Sequence, residues 1–207
     1  MKDSPVEADA ERDRAIAAAL PHVPALGWTM AAVRAGLADG GGDPEDAALL
    51  FPNGPGELVA GYADMIDRAM AADAAASDMV GLGTTGRVRA VIALRLERLR
   101  PHRDAIRLAA GLLVLPHMAH WGARAARASV DAVWHAAGEA LDDATRHTKR
   151  ATLAMVMTST MLFWLRSGDG DDTATLAFLD RRLADVGRIG KLRAKVGNMF
   201  NRRTSRA

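Results

Sequence analysis

Hydrophobic positions recur at helical spacing along almost the whole chain. In the clearest case, apolar side chains recur at positions i, i+4, i+7, i+8 and i+12, which is the spacing of one face of an α-helix; they are Leu58, Tyr62, Met65, Ile66 and Met70. Proline and glycine residues interrupt these segments at intervals typical of turns between helices. No segment alternates between apolar and polar residues as a half-buried strand would. The pattern therefore predicts an all-α fold.

Helix boundaries follow from capping residues and helix breakers. Thr29 can cap one helix, and Asp43 can cap another with Pro44 at its first position. After a first helix that ends near Pro21, we expect helices at about 29–37, 43–51, 57–75, 86–100, 101–115, 117–140, 145–166 and 172–190. These predict three parts, which we call the head (residues 1–80), the body (residues 81–187) and the tail (residues 188–207).

Charge is unevenly distributed along the chain. Residues 1–80 carry five bases and fourteen acids, a net charge of −9, whereas residues 181–207 carry nine bases and one acid, a net charge of +8. Between Trp28 and Asp67 the only base is Arg34, against seven acids. DNA binding depends largely on neutralising phosphates. We therefore predict that the head does not bind nucleic acid.

Few residues suggest chemistry. Gly81, Gly83 and Gly86 match the spacing of a dinucleotide-binding loop, but a helical segment precedes them where that site needs a strand. His117 and His120 lie one turn apart, which gives too few ligands for a metal site. The chain has no cysteine and no recognisable catalytic constellation. We expect no metal, no cofactor and no enzymatic activity.

The tail combines apolar and basic residues on one helix. On a helical wheel the apolar side chains form one arc, with basic residues on its flanks; the residues expected to contact a membrane are Ile189, Leu192, Val196, Met199, Phe200, Lys191 and Lys195. Such a helix suits an anionic membrane surface. A last helix docked on its own domain, with a frayed basic end, is the alternative. The apolar runs of the chain are too short to span a bilayer.

The body contains two unusually apolar helices that are rich in methionine, which adapts to flexible apolar ligands. An ordinary packed core would also explain these helices, and sequence alone favours that explanation. If the body instead encloses a lipid, the lining is expected to come from Leu112, Leu115, Met118, Trp121, Met155, Met161 and Phe163.

Two resemblances to known families add to this interpretation. Residues 12–75, with a turn at Gly27-Trp28 and a Phe51-Pro52 break before a long helix, resemble the DNA-binding head of tetracycline-repressor-type regulators. Ser129–Glu139, Thr148–Leu153 and Phe178–Leu183 resemble, in order and spacing, the ubiquinone-biosynthesis accessory family of the ninth Coq protein and its alphaproteobacterial relatives. The segments 50–55 and 95–103 fit the same family, so that the likeness covers about residues 12–190.

This second resemblance implies a tetracycline-repressor-like fold without a regulatory role. It implies a dimeric protein that binds an isoprenoid quinone or phospholipid and assists the demethoxyubiquinone hydroxylase at the membrane. It also implies a partner interface at Asp131, Trp134 and His135, although a core position for Trp134 is equally compatible with the sequence. The chain lacks the long N-terminal extension of mitochondrial members, so we expect a cytoplasmic protein at the inner membrane surface.

Two other functions stay open. A ligand-responsive repressor would bind its own upstream DNA in a salt-dependent manner. A helical enzyme would need a catalytic constellation that the sequence does not show.

Overall fold

A computed structural model describes residues 5–139, 146–167 and 172–204, with side chains for residues 9–139, 146–167 and 172–188. Within these ranges every regular element is helical, as the sequence pattern predicts. The α-helices are α1 (Pro5–Ala19), α2 (Val23–Leu26), α3 (Met30–Asp39), α4 (Asp46–Leu50), α5 (Pro55–Ala76), α6 (Thr84–Leu99), α7 (Arg103–Leu113), α8 (Ala119–Ala136), α9 (Arg146–Arg166) and α10 (Asp172–Thr204). Two 3₁₀ turns, Leu20–His22 and Arg100–His102, precede α2 and α7.

The head is a helix-turn-helix unit whose boundaries depend on local hydrogen bonds. The Thr29 hydroxyl accepts from the backbone N of Ala32, which confirms Thr29 as the N-cap of α3. The predicted cap at Asp43 is wrong, because α4 begins only at Asp46. Asp43 Oδ1 instead accepts from the backbone N of Glu45 at 2.9 Å. Aspartate readily forms such local turns, which compete with helix capping.

The long helix α5 connects the head to the body. Its buried face, which includes Leu58, Tyr62, Ile66 and Met70, packs against α1 on one side and against α6 and α8 on the other. One continuous cluster of buried apolar side chains extends from α1 to α10. The predicted boundary between head and body falls in the turn between α5 and α6, where Gly81 has a φ of 81°.

A second connection between head and body is a buried hydrogen bond. The indole Nε1 of Trp28, in the turn before α3, donates to the carbonyl oxygen of Ala105 on α7 at 2.7 Å. Trp28 is almost fully buried and its ring also contacts Tyr62 of α5, with centroids 5.1 Å apart. A burial of this size contributes several kcal/mol, so the turn before α3 is fixed against α5 and α7.

The C-terminal helices α9 and α10 pack against each other at the far side of the body. Trp164 on α9 is fully buried, lies under the guanidinium of Arg103 with 4.8 Å between Cζ and the ring centroid, and donates to Asp172 at 3.2 Å. Helix α10 continues as far as Thr204, which makes it longer than the sequence pattern indicates. None of the described helices is both long enough and apolar enough to cross a membrane.

Candidate ligand-binding site

An apolar cavity of about 270 Å³ lies between helices α5, α6, α7, α8 and α9. Its walls contain many small residues, which lie on α5, α7, α8 and α9: Ala63, Ala109, Ala110, Gly122, Ala125, Ala126 and Ala154. Small side chains leave space between two helices when larger residues elsewhere along the helices set the distance between the backbones. The space is therefore left by the small alanine side chains, and larger residues such as Ile106 and Leu165 form the rest of the walls.

The cavity reaches the surface near the end of α9. Leu162 lines it and is 54% exposed, and Leu113 of α7 also contributes to the lining. Beyond Leu113 the α7–α8 turn exposes Val114 and Leu115. An apolar ligand that extends beyond the cavity would meet further apolar surface there.

One part of the wall is polar, and it carries a buried ion pair. Arg95 Nε on α6 donates to Asp67 Oδ1 on α5 at 2.7 Å, and Arg95 Nη2 donates to the Ser129 hydroxyl on α8 at 3.1 Å. The Ser129 hydroxyl in turn donates to Asp67 Oδ2 at 2.5 Å. Arg95 is 8% and Asp67 4% exposed. Three helices are thus joined by a closed set of charge-assisted hydrogen bonds.

Tyr62 stands beside this ion pair in the lining of the cavity. Its ring is held between Trp28 and His102, the latter in an edge-to-face contact with centroids 6.1 Å apart. Its hydroxyl is buried and has no hydrogen-bond partner among the described residues. Burial raises the pKa of Tyr62, although the nearby Arg95 charge opposes the shift. The hydroxyl is therefore protonated at neutral pH and can donate.

The structure places the predicted lipid-lining residues in different regions. Met161 lines the cavity. Leu112 packs on the core, Leu115 is exposed and Met118 lies half-buried before α8.

The other three predicted lining residues make contacts elsewhere. The indole of Trp121 lies against Gly56, where a Cβ would collide with it. Met155 belongs to a second groove, and Phe163 stacks on Phe178 with centroids 4.5 Å apart.

Sequence reasoning did not predict the polar part of the cavity wall or any of its small lining residues. Arg95 stood in the family motif at 95–103, but nothing in the spacing showed that it would face Asp67. A buried Asp–Arg–Ser set has no periodic signature, because its members come from three separate helices.

The second groove, of about 580 Å³, lies between α6, α8, α9 and α10 and contains Trp134. Trp134 packs partly on the core, and its indole Nε1 is buried without a partner among the described residues. Asp131 is bound by Arg150 Nε at 2.5 Å, and His135 is exposed. The structure thus places Trp134 at the edge of a groove. This location is intermediate between the partner-interface position and the core position that the sequence allowed.

The tail residues Ile189, Leu192, Val196, Met199, Phe200, Lys191 and Lys195 have side chains outside the described part of the structure. The backbone of α10 is helical across all of them. Their membrane contact stays a prediction.

The head surface is acidic where a DNA-binding helix would face its target. Asp43 and Glu45 are exposed in the turn before α4, and α4 itself is only five residues long. Its most exposed large side chain is Leu49, at 78%. The described side chains of this turn and helix thus present two exposed carboxylates and one exposed leucine where a DNA-binding protein would contact phosphates.

The arrangement of a helix-turn-helix head on a larger helical body is that of tetracycline-repressor-like proteins. The crystal structure of the TetR transcriptional regulator from Nitrosomonas europaea superposes with a TM-score of 0.66, covering 84% of this chain and 97% of that chain at 21% identity. At this level of identity the likeness concerns the fold. The predicted fold class is thereby confirmed.

Sequence comparison adds a more specific relationship. The family model described as COQ9 matches residues 119–190. The chain is 29% identical over 184 residues to the human protein named "Ubiquinone biosynthesis protein COQ9, mitochondrial" and 28% identical over 183 residues to the protein of that name from Drosophila melanogaster, each match covering 86% of this chain. The matches cover 58% and 56% of those relatives. The resemblance to the ubiquinone-biosynthesis family is confirmed.

Proposed function

We propose that this chain is a non-catalytic accessory protein of ubiquinone biosynthesis. It binds a polyprenylated quinone intermediate in the apolar cavity and presents it to the demethoxyubiquinone hydroxylase at the membrane surface, as a homodimer on the cytoplasmic face of the inner membrane. The observation that carries the proposal is the open apolar cavity between α5, α6, α7, α8 and α9 in a chain similar to COQ9 proteins.

The size and lining of the cavity suit part of an isoprenoid ligand. Ligand sites commonly measure about 300–1,000 Å³ and are mostly apolar, so a cavity of about 270 Å³ holds a head group or a short piece of chain. The rest of a long polyprenyl tail would leave past Leu162 toward the exposed α7–α8 turn. Because that exit is apolar, the tail stays out of water along its path.

The cavity favours binding over chemistry. Its charged lining residue is Arg95, whose positive charge is paired with the carboxylate of Asp67 and which also donates to Ser129. A general acid or base must reach its substrate with a proton it can exchange near neutral pH. Tyr62, with its raised pKa, can donate a hydrogen bond but holds its proton too tightly for that exchange.

A second candidate is a ligand-responsive regulator, which the tetracycline-repressor-like fold favours. In such a regulator, the Trp28–Ala105 hydrogen bond would connect the head to α7, one of the helices that line the cavity. The exposed carboxylates of Asp43 and Glu45 argue against this candidate, because they repel phosphate.

The proposal is tested by deleting the gene and profiling cellular quinones by mass spectrometry. We expect demethoxyubiquinone to accumulate and ubiquinone to fall, with both restored by the wild-type gene. An unchanged quinone profile would contradict the proposal. Accumulation of an earlier intermediate would instead contradict the assignment to the hydroxylase step.

A further inference from the structure

We propose that Tyr62, Arg95 and Ser129 form a polar subsite that binds the oxygen of an uncharged head group, such as a quinone carbonyl, and disfavours anionic lipids. This inference rests on the proposed function and specifies the ligand chemistry of the same cavity. We call these three residues the polar wall. All three line the cavity, and all three are more than nine-tenths buried.

The unpartnered hydroxyl of Tyr62 is the first reason. A buried polar group that lacks a hydrogen bond costs roughly 1–3 kcal/mol, and the described residues offer this hydroxyl no partner. Its ring cannot turn away easily, because Trp28 and His102 contact it. The hydroxyl is closed off from the open space of the cavity, so a ligand oxygen would have to displace neighbouring side chains before it could accept the proton and remove that cost.

The donors of Arg95 are the second reason. A guanidinium carries five N–H groups, and the bonds to Asp67 Oδ1 and the Ser129 hydroxyl use two of them. Arg95 therefore keeps further N–H groups that can donate beside Tyr62. An Arg95 N–H together with the Tyr62 hydroxyl would match a carbonyl oxygen, which has two lone pairs.

Charge decides which head group fits. The positive charge of Arg95 is already balanced by the carboxylate of Asp67, 2.7 Å away. A carboxylate or phosphate that entered this apolar cavity would be desolvated without an unpaired cation to compensate it. A quinone carbonyl has no charge to desolvate, and it accepts the same hydrogen bonds.

The test uses the delipidated full-length chain and three probes. These are a ubiquinone with two isoprene units, a terpene hydrocarbon of similar tail length without a head group, and palmitate. Binding is measured by titration calorimetry in detergent below its critical micelle concentration. We expect wild-type protein to bind the quinone roughly tenfold or more tightly than the hydrocarbon, the factor that one or two hydrogen bonds provide, and palmitate more weakly than the quinone.

The variant Tyr62→Phe removes the hydroxyl and keeps the ring in place. We expect it to bind the quinone about tenfold more weakly and the hydrocarbon unchanged, with a melting temperature equal to or above that of wild type, because the unpartnered hydroxyl is removed. The matched control is Thr158→Val, which removes a hydroxyl from the same cavity outside the polar wall, and should leave the preference for the quinone intact.

The outcomes separate the two claims. If wild type and Tyr62→Phe bind quinone and hydrocarbon with equal affinity, the polar wall is overturned while lipid binding stands. Tighter binding of palmitate than of the quinone would also overturn the inference. If none of the three probes binds any variant, both the subsite and the proposed function fail. The comparison of quinone with hydrocarbon on wild-type protein does not depend on whether a variant folds.

Discussion

Arg95 of α6 and Asp67 of α5 form a buried ion pair, with 2.7 Å between Nε and Oδ1. This pair lies against the cavity and is completed by Ser129 of α8, which hydrogen-bonds to both. Three helices that enclose the cavity therefore share one polar contact. If either charge is removed, the other is left buried without a counterion.

The first prediction concerns this pair. Asp67→Ala should lower the free energy of unfolding by roughly 3–5 kcal/mol, because it leaves the Arg95 charge uncompensated. The double variant Asp67→Leu/Arg95→Met removes both charges and should lose much less than the single variant. Urea unfolding followed by circular dichroism measures both. A loss below about 1 kcal/mol for Asp67→Ala would show that the pair is not buried in solution.

The second prediction concerns Trp134 in the second groove. If it anchors the hydroxylase, Trp134→Ala should cost roughly 2 kcal/mol or more of binding to that enzyme with little loss of stability. Trp164→Ala is the matched control, since Trp164 is fully buried and should cost about 3–5 kcal/mol of folding stability. Melting curves beside a pull-down with the hydroxylase distinguish the two roles. A Trp134→Ala melt as low as that of the control would identify Trp134 as a core residue.

The third prediction is that the head does not bind duplex DNA at about 150 mM salt, because Asp43, Glu45 and their neighbours repel phosphate. Fluorescence anisotropy with the upstream DNA of the gene measures this. A variant with lysine at positions 43, 45 and 46 should gain weak binding that falls steeply with salt. Salt-dependent binding by the unchanged chain would favour the regulator instead.

The fourth prediction concerns the tail. Deleting residues 188–207 removes seven bases and the apolar stripe around Val196, and should abolish sedimentation with anionic vesicles. Each base near such a surface contributes roughly 1 kcal/mol, so wild-type binding should also fall with salt. The variant Lys191→Gln/Lys195→Gln, which keeps the stripe, should show an intermediate loss. Unchanged sedimentation of the truncated chain would assign the membrane contact to another surface.

Local features of this fold were predictable from the sequence, and the cavity was not. The N-cap at Thr29 and the helical periodicity of α5 depend on residues within one turn of each other, so they can be recognised without a structure. The start of α4 was misplaced because Asp43 uses its carboxylate in a local turn with Glu45.

The cavity depends on which helices pack together and on where bulk is missing. The sequence drew attention to large residues such as Leu115 and Met155, which the structure leaves largely exposed. The walls are instead made by Ala125, Ala126 and similar residues, whose small size gives no signal of its own in a helical pattern. Met161 was predicted from the sequence because it is a large apolar residue, and it also lines the cavity.

The most direct test of the central claim is mass spectrometry of lipids that co-purify with the native protein. We predict a polyprenylated quinone or its biosynthetic intermediate in wild-type protein. The variant Ala154→Phe, which fills the cavity, should lose it, whereas Ala151→Phe, one turn away on the exposed face of α9, should retain it. Lipid-free wild-type protein, or equal lipid in both variants, would contradict the claim that this cavity binds the ligand.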